Sequence, residues 1–300
     1  MAGTASVERV KDSATGLDKF VLREARGSSV EVSSLSRNTL MNNFILQLGN
    51  HGALEQHGFA RNRFWSVDES PPPFPVAISN CHIDLILKSS QEDLKIWPYS
   101  YEFRLRVALS PRGDLILTSR IRNISSDGKP FQFTFAYHTY FSVSDIRYIS
   151  KCHIGSANRI EVRVEGLETL DYLDNLKSKN RCTEQGDAVV FESEVDKVYL
   201  SAPPKIVIID HEKKRTFVLR KEGLPDVVVW NPWDKKAKAM PDFGDDEYKN
   251  MLCVGAAAIE KPITLRPGEE WLGKQEISAV PSSYSSGQLD PEVIRRMHTI

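Results

Sequence analysis

The chain has 300 residues, of which 41% are hydrophobic, so it carries enough apolar side chain for a sizeable core. Its 39 lysine and arginine residues nearly balance 40 aspartate and glutamate residues, and the net charge of -1 argues against a nucleic-acid partner, which usually requires a basic face. No apolar run approaches the roughly 18 residues of a membrane span, and the N-terminal MAGTASVERVKDSATG lacks the apolar stretch of a secretory signal.

The predicted elements are almost all short strands. Residues 19–32 predict two strands around a turn, residues 33–47 show no clear pattern, and residues 50–67 predict a loop that runs into a strand. After a proline-rich connection, strands are predicted at 84–88, 101–109, 115–123, 131–141, 159–164, 188–192, 195–201, 205–210, 216–220, 227–230 and 271–280. Only 291–297 shows a helical pattern. Short strands at this spacing predict an all-β fold, a sandwich of antiparallel sheets.

Residues 131–141, FQFTFAYHTYF, form the most regular of these strands. The three phenylalanines and Tyr137 point to one face, whereas the opposite face is small and polar and carries His138. The polar side chains of that second face are expected to contact either bulk water or the lining of a polar cavity. Because histidine titrates near neutral pH, His138 can donate or accept a proton. The alternative is a hydrogen-bonded histidine with a structural role.

Other residues with a chemical role are scattered along the chain. Arg61, in the sequence QHGFAR, can bind phosphate or carboxylate with its planar fork, or it is an ordinary surface arginine. Asp196 lies inside a predicted strand and either faces solvent or accepts hydrogen bonds from a ligand hydroxyl. The segment Trp230–Asn231–Pro232–Trp233 ends a predicted strand, and a tryptophan there either belongs to the core or stacks on a sugar face.

Histidine and cysteine spacing gives no support for a metal site. His51 and His57 are six residues apart and His82 follows Cys81, which does not match the usual zinc spacings. The motifs GxSxG, GxGxxG and the P-loop are absent, so a nucleophile elbow or a nucleotide cradle is not expected. The four cysteines form no CxxC pair, which favours free thiols and a cytoplasmic location.

Six long motifs resemble the aldose 1-epimerase superfamily, and most closely its plant branch of glucose-6-phosphate 1-epimerases (hexose-6-phosphate mutarotases, or apospory-associated protein C-like proteins). The motifs are HGFARNRFW at 57–65, FAYHTYFSVSDI at 135–146, VEGLETLDYLDN at 164–175, ESEVDKVYLS at 192–201, VVVWNPWDKKAKAMPDFGDDEYKNMLCV at 227–254 and LRPGEEW at 265–271. They occur in the family's order, and the resemblance covers most of residues 50–292.

The resemblance implies a large antiparallel β-sandwich of the galactose mutarotase-like type, without metal or cofactor. We expect it to form a single domain over residues 1–300, with a short C-terminal tail at 281–300. The resemblance also implies an isomerase that interconverts the α and β anomers of glucose 6-phosphate. In that chemistry an acid protonates the ring oxygen while a base takes the proton of the anomeric hydroxyl. The ring opens, the C1–C2 bond rotates, and the ring closes on its other face.

The resemblance also assigns residues to roles. His138 matches the family's histidine acid. Gln56 and Arg61 match substrate contacts, with Arg61 as a phosphate ligand. Asp196 matches the aspartate that holds sugar hydroxyls.

Three departures from the family pattern bear on activity. The family carries its glutamate base two residues after the cysteine, but here Gly255 stands two residues after Cys253, and glycine cannot accept a proton. Glu260 lies five residues further on and would point to the other face of a strand unless the backbone bulges. Residues 33–47 do not match the family's longer segment with its Arg-Gly-Gly run, so the sandwich is expected to lack part of its N-terminal region. Residues 147–159 are expected to be an inserted loop.

Two functions therefore stay open, with a third beside them. The first is a hexose-6-phosphate mutarotase of reduced activity, since removing a general base typically costs about a hundred- to ten-thousand-fold in rate. The second is a non-catalytic sugar-phosphate-binding homologue, which Gly255 favours. The third is a structural carbohydrate-binding module that takes neutral sugars and does not need Arg61. A hexose 6-phosphate is the expected small-molecule partner, without nucleic acid or membrane, and a monomer is expected.

Overall fold

The structure, a computed structural model, describes residues 5–13, 16–33, 43–47, 60, 63–73, 81–147, 162–241 and 243–281. The strands in these ranges are β1 (Ser6–Lys11), β2 (Asp18–Arg23), β3 (Ser29–Ser33), β4 (Asn43–Gln47), β5 (Ser66–Val67), β6 (His82–Lys88), β7 (Tyr101–Leu109), β8 (Leu115–Asn123), β9 (Phe131–His138), β10 (Tyr140–Ser142), β11 (Val162–Glu165), β12 (Asp171–Asp174), β13 (Asn180–Thr183), β14 (Val195–Tyr199), β15 (Lys205–Asp210), β16 (Arg215–Glu222), β17 (Asp226–Asn231), β18 (Met251–Leu265) and β19 (Glu270–Pro281). The helices are α1 (Gln91–Ile96) and α2 (Trp233–Ala239), with short 3₁₀ helices at Asn175–Lys177 and Glu247–Asn250. None of the described helices is long and apolar enough to cross a membrane.

The chain divides into two compact units, which are described separately. The first comprises Met1–His138, Lys221–Leu224 and Ala257–Glu276, and the second comprises Thr139–Arg220, Pro225–Ala256 and Ile277–Ile300. The long strand β18 contributes its residues through Ala256 to the second unit and those from Ala257 to the first. The single domain expected over residues 1–300 stays a prediction.

The first unit is built from antiparallel strands whose alternation is visible in the sequence. β1, β2 and β3 form a three-stranded sheet, and a further run of paired strands has the order β19, β8, β7, β6, β5. In β7, Phe103, Leu105 and Val107 are buried, whereas Arg104 and Arg106 lie half-buried on the opposite face. β9 pairs with β4 on one side and with the Ala257–Leu265 part of β18 on the other.

The core of the first unit is aromatic and contains the predicted apolar face of β9. The ring of Phe135 lies 4.9 Å from that of Tyr137, 5.0 Å from that of Trp271 and 6.1 Å from that of Phe103, between centroids. The buried Tyr137 hydroxyl donates to the carbonyl of Gly273 at 3.2 Å, so its polar end is satisfied inside the core. The apolar face predicted for this strand is confirmed.

In the second unit, one run of paired strands has the order β13, β12, β14, β17, β18, with β10 also paired to β18, and another run has the order β11, β15, β16. The hairpin predicted between 205–210 and 216–220 is confirmed as β15 and β16. Its turn is held by the fully buried Asp210 carboxylate, which accepts from Ser144 Oγ at 2.7 Å and from the Lys213 amide at 3.1 Å. A buried carboxylate needs such partners, because burial without them is costly.

The sequence indicated a helix only at 291–297, which lies outside the described residues, and it missed α1 and α2, the two helices of the described ranges. α1 has six residues and α2 has seven, too few turns for a 3.6-residue periodicity to show. A local signal for α1 does exist. Ser90 accepts from the Asp93 amide at 3.1 Å while Asp93 accepts from the Ser90 amide at 2.9 Å, which is a capping box.

Several strand predictions need correction. The predicted strand at 188–192 is wrong, because Val189 and Phe191 make only isolated bridges. The predicted strand 131–141 is interrupted at Thr139, between β9 and β10. Five strands were missed: β1, β4, β12, β13 and the 15-residue β18. β18 was missed because its sequence, MLCVGAAAIEKPITL, has few alternating β-branched residues and contains a proline, so its strand conformation depends on pairing.

The N-terminal region and the expected insertion are only partly described. The segment 33–47, which showed no clear pattern, contains β4, and β4 covers one side of β9 by antiparallel pairing. Arg147 makes an isolated parallel bridge to Phe191, and the rest of the expected insertion, 148–159, lies outside the described residues. Of the expected tail, only Pro281 is described, as the last residue of β19.

Candidate functional site

His138 is the last residue of β9, in the first unit, and only 9% of its surface is exposed. Its Cα partner on β4 is Asn43. Along the same face of β9, Gln132 is exposed, Thr134 is half-buried and Ala136 is buried. This face therefore becomes covered towards its C-terminal end, and the histidine lies at the covered end rather than in bulk water.

The family's base position falls within β18, in the second unit. Cys253 is the Cα partner of Tyr140, and the Val254 amide donates to the Thr139 carbonyl at 3.0 Å. Gly255 follows and is buried, so this position presents no carboxylate. The neighbouring thiol cannot replace it, because burial raises the pKa of Cys253 to about 12 and keeps the thiol protonated at neutral pH.

Glu260 lies in a bulge of β18, in the first unit. From Ala258 to Ile263 the strand advances five residues while its partner β9 advances two, from Phe135 to Phe133. The bulge that Glu260 would need is therefore present, but it places Glu260 level with residue 134 of β9. That level is four residues before His138, or about 13 Å along the strand. The pairing indicates that Glu260 does not stand in for the missing base.

Asp196 lies on β14 in the second unit, directly opposite Trp230 of β17. Directly opposed residues of an antiparallel pair share one face of the sheet, so the carboxylate and the indole are neighbours. The Trp230 ring also lies edge-on to the ring of Tyr140, with centroids 6.2 Å apart. An aromatic ring beside a carboxylate can offer a sugar both a stacking surface and a hydroxyl acceptor.

The surroundings of Asp196 make its ionised form less favourable than that of an ordinary aspartate. Burial raises the pKa of Asp196, and the Asn175 hydrogen bond and the Lys236 charge oppose this shift only in part. The carboxylates of Glu194 and Asp174 raise the pKa of Asp196 further by repulsion. A carboxyl group that is held partly desolvated beside like charges is typical of functional sites.

A tight turn after β12 places Asn175 beside Asp196. β12 pairs with β14 so that Asp174 is opposite Lys197, which brings the next residue of the chain alongside Asp196. The Asp174 side chain caps the following 3₁₀ helix by accepting from the Leu176 amide at 3.1 Å. The Asn175 side-chain Nδ2 then donates to Asp196 Oδ1 at 2.7 Å.

Lys236 reaches the same carboxylate from α2. The turn from β17 into α2 is fixed by Asn231, whose side chain donates to the carbonyls of Tyr248 and Met251, both at 2.8 Å, and accepts from the Trp233 amide at 2.9 Å. The Lys236 ammonium lies 2.9 Å from Glu194 Oε1 and 4.0 Å from Asp196 Oδ2. We call the group Asn175, Glu194, Asp196, Trp230 and Lys236 the Asp196 cluster.

The predicted site residues are thus placed only in part. Asp196 and Trp230 are brought together, and His138 lies in the other unit. Gln56 and Arg61 lie outside the described residues, so their roles stay predictions. In the same motif, Arg63 is engaged by the Asp93 carboxylate, at 2.9 Å from Nε and 2.8 Å from Nη2, which gives this second arginine a structural role.

Sequence reasoning missed Asn175, Glu194 and Lys236. A signal existed for Glu194, because residues two apart in a strand share a face and Glu194 precedes Asp196 by two. Asn175 and Lys236 come from separate elements, and only the sheet order brings them near β14. Across the described ranges, no three histidine, cysteine or acidic side chains are grouped as a metal would require.

Comparisons with known proteins agree with this architecture. The sequence pattern of the aldose 1-epimerase family matches residues 42–278. A Cenchrus ciliaris protein, provisionally named glucose-6-phosphate 1-epimerase, is 72% identical over 246 residues, which cover 82% of this chain and 71% of the relative. An Escherichia coli K12 protein with the same provisional name is 26% identical over 204 residues, which cover 68% of this chain and 60% of the relative.

The fold has a close counterpart among solved structures. A provisionally named mutarotase of Salmonella typhimurium superposes with a TM-score of 0.72 at 20% identity, covering 92% of this chain and 94% of the other. The predicted large antiparallel β-sandwich of the mutarotase type is thereby confirmed.

Proposed function

Since this chain belongs to the aldose 1-epimerase family, we propose that it is an isomerase that interconverts the α and β anomers of glucose 6-phosphate. The observation that carries this proposal is the 72% identity, over 82% of the chain, to the Cenchrus ciliaris relative named for that activity. The reaction needs a proton donor at the ring oxygen and a proton acceptor at the anomeric hydroxyl, both held close to one sugar.

His138 is the proposed proton donor. It is a histidine held at the covered end of a strand whose other face packs in an aromatic core. Such a rigid support suits a catalytic group, because proton transfer requires the donor to be held in one orientation. In this proposal His138 protonates the ring oxygen as the C1–O5 bond opens and takes the proton back when the ring closes.

Asp196 is the proposed acceptor of sugar hydroxyls. Asn175 already donates to one of its oxygens, and the second oxygen lies beside Lys236 at 4.0 Å. The Trp230 ring beside it supplies an apolar surface for the carbon face of the sugar. These contacts support binding and orientation rather than proton transfer.

The absence of a carboxylate at Gly255 lowers the expected rate of anomer exchange. Gly255 has no side chain, Cys253 stays protonated, and Glu260 lies about 13 Å along the strand from the level of His138, so none of these three positions supplies the base. We therefore expect slow but real catalysis. The second candidate, a sugar-phosphate-binding protein without turnover, rests on the same observation at Gly255.

The phosphate specificity can be tested through Arg61, the proposed phosphate ligand. Binding of glucose 6-phosphate and of glucose is measured by calorimetry for the wild type, for Arg61→Ala and for Arg122→Ala, which removes an exposed arginine of β8. We expect Arg61→Ala to weaken glucose 6-phosphate binding at least tenfold, because charge-assisted hydrogen bonds to phosphate are lost, and Arg122→Ala to leave it unchanged. Equal binding of both sugars, insensitive to Arg61→Ala, would instead indicate a module for neutral sugars.

We also propose that the protein is cytoplasmic and monomeric. Reduced thiols at Cys81, Cys182 and Cys253 support the proposal of a reducing compartment. Size-exclusion chromatography with light scattering checks the monomer, and a mass well above that of one chain would contradict it.

A further inference from the structure

The Asp196 cluster holds the partly buried carboxylate of Asp196, a second acid in Glu194 and a cation in Lys236. We propose that Lys236 is a positioning residue that holds the Asp196 carboxylate ionised and oriented to accept hydrogen bonds from sugar hydroxyls. This inference rests on the proposed binding of a hexose 6-phosphate. The inference gives a role to Lys236, which lies on α2, whereas Asp196 lies on β14.

The first argument is geometric. Lys236 stands where a single ammonium group can contact two carboxylates, at 2.9 Å from Glu194 and 4.0 Å from Asp196. Asn231 anchors the turn into α2, the helix that carries Lys236. It also lies 6.0 Å above the Trp230 ring, so it borders the surface proposed for the sugar.

The second argument concerns which carboxylate oxygen of Asp196 can still accept a hydrogen bond from a ligand. Asn175 donates to Asp196 Oδ1, and the longer separation of 4.0 Å between Lys236 and Oδ2 leaves that oxygen without a short hydrogen bond from this cation. An ammonium at this distance stabilises the negative charge without occupying the oxygen. A hydroxyl ligand can then donate to Oδ2.

The third argument concerns the charges that face Asp196. Asp174 at the end of β12 and Glu194 just before β14 repel its negative charge, while the Cys253 thiol of β18 is buried and neutral. Asp174 is itself paired with Lys177 at 3.2 Å. Among the described residues, Lys236 is a cation whose attraction lowers the pKa of Asp196. Without it, the carboxyl would bind a proton at a higher pH and lose acceptor strength.

The test compares the pH dependence of glucose 6-phosphate binding, measured by calorimetry between pH 4 and pH 8. Lys236→Met removes the charge but keeps the length of the side chain, and Lys236→Arg keeps the charge. Lys235→Met changes the exposed neighbour on α2 and serves as the matched control. Thermal unfolding of each variant checks that it is folded.

We expect Lys236→Met to move the acid limb of binding upwards by about 0.5 to 1 pH unit, with a much smaller effect at pH 8. In Lys236→Arg and in Lys235→Met, the acid limb of binding should lie at the same pH as in the wild type. The same loss at every pH, or no change with Lys236→Met, would overturn the inference, as would a wild type that does not bind glucose 6-phosphate. Binding without anomer exchange would count against the proposed enzyme alone, since the Lys236 comparison would still be measurable.

Discussion

Asp196 on β14 and Trp230 on β17 are directly opposed in an antiparallel pair, so that a carboxylate and an indole ring occupy neighbouring positions on one face of the sheet. The pair unites the two scattered residues that the sequence singled out as sugar contacts. It also explains why Asp196 can be half-buried without lying in the core, because its neighbours on that face are Asn175 and Lys236 as well as the ring.

The first prediction concerns the acceptor strength of Asp196. Asp196→Asn keeps the size of the side chain but replaces a charged acceptor, so we expect glucose 6-phosphate binding to weaken about tenfold to a hundredfold, the range for hydrogen bonds to charged groups. Calorimetry at pH 7 measures this loss. The control is Asp187→Asn, which changes an exposed aspartate before β14. Unchanged binding by Asp196→Asn would remove Asp196 from the site.

The second prediction is that Asp196 destabilises the folded protein at neutral pH. Its pKa is raised in the folded state, chiefly by burial, so the folded state binds the proton more strongly than the unfolded chain. Its contribution is therefore most favourable at low pH and is lost as pH rises from the ordinary aspartate pKa through the folded pKa. We expect Asp196→Asn to be at least as stable as the wild type at pH 7, by urea unfolding. A clear loss of stability at pH 7 would show that Asp196 has a structural role instead.

The third prediction concerns the empty base position. Gly255→Glu should raise the rate of anomer exchange by about a hundredfold, since a positioned general base typically contributes that much or more. Gly255→Gln has nearly the same shape but cannot accept the proton, so it should gain nothing. The buried site makes overpacking a risk of about 1–3 kcal/mol, which unfolding curves of both variants would reveal. If Gly255→Glu gains nothing while His138→Ala abolishes a real wild-type rate, the base assignment is wrong.

The fourth prediction concerns acid stability and the Asp93 carboxylate. Burial alone would raise the pKa of Asp93, but hydrogen bonds from the Ser90 amide and from Arg63 outweigh it and lower the pKa. The stability that Asp93 provides is therefore present at neutral pH and is lost as pH falls through its folded pKa, below the ordinary aspartate value of about 3.9.

The variant Asp93→Asn tests this account of α1. It should lower the free energy of unfolding at pH 7 by about 1–3 kcal/mol and make unfolding less sensitive to acid than in the wild type. Glu92→Gln, on the exposed side of the same helix, should leave both properties unchanged. The same acid sensitivity in Asp93→Asn and the wild type would show that other carboxylates govern acid unfolding.

The sequence predicted the fold wherever local signals agreed with tertiary packing. β7 and β8 were predicted with their observed bounds, because regular alternation flanks the turn at 110–114, where Gly113 adopts a positive φ of 83°. β18 could not be predicted, since an Ala-rich run with a bulge owes its strand conformation to β9 and β10 rather than to its own residues.

The site could be predicted only as far as single residues carry a signal. Asp196 and Trp230 attracted attention as a polar residue within a strand and an aromatic residue at a strand end. Lys236 could not be predicted from the sequence, because a lysine in the run DKKAK has no feature that distinguishes it from the neighbouring lysines. Its role depends on the distance from α2 to β14, which only the three-dimensional arrangement of the second unit determines.

The measurement that tests the central claim most directly is the rate of exchange between the two anomers of glucose 6-phosphate, followed by NMR magnetisation exchange. The wild type, His138→Ala and buffer are compared, with His211→Ala on the β15–β16 turn as a matched histidine control. We expect exchange above buffer for the wild type and His211→Ala, and the buffer rate for His138→Ala. A folded wild type that exchanges no faster than buffer would contradict the account and favour a sugar-phosphate-binding protein without turnover.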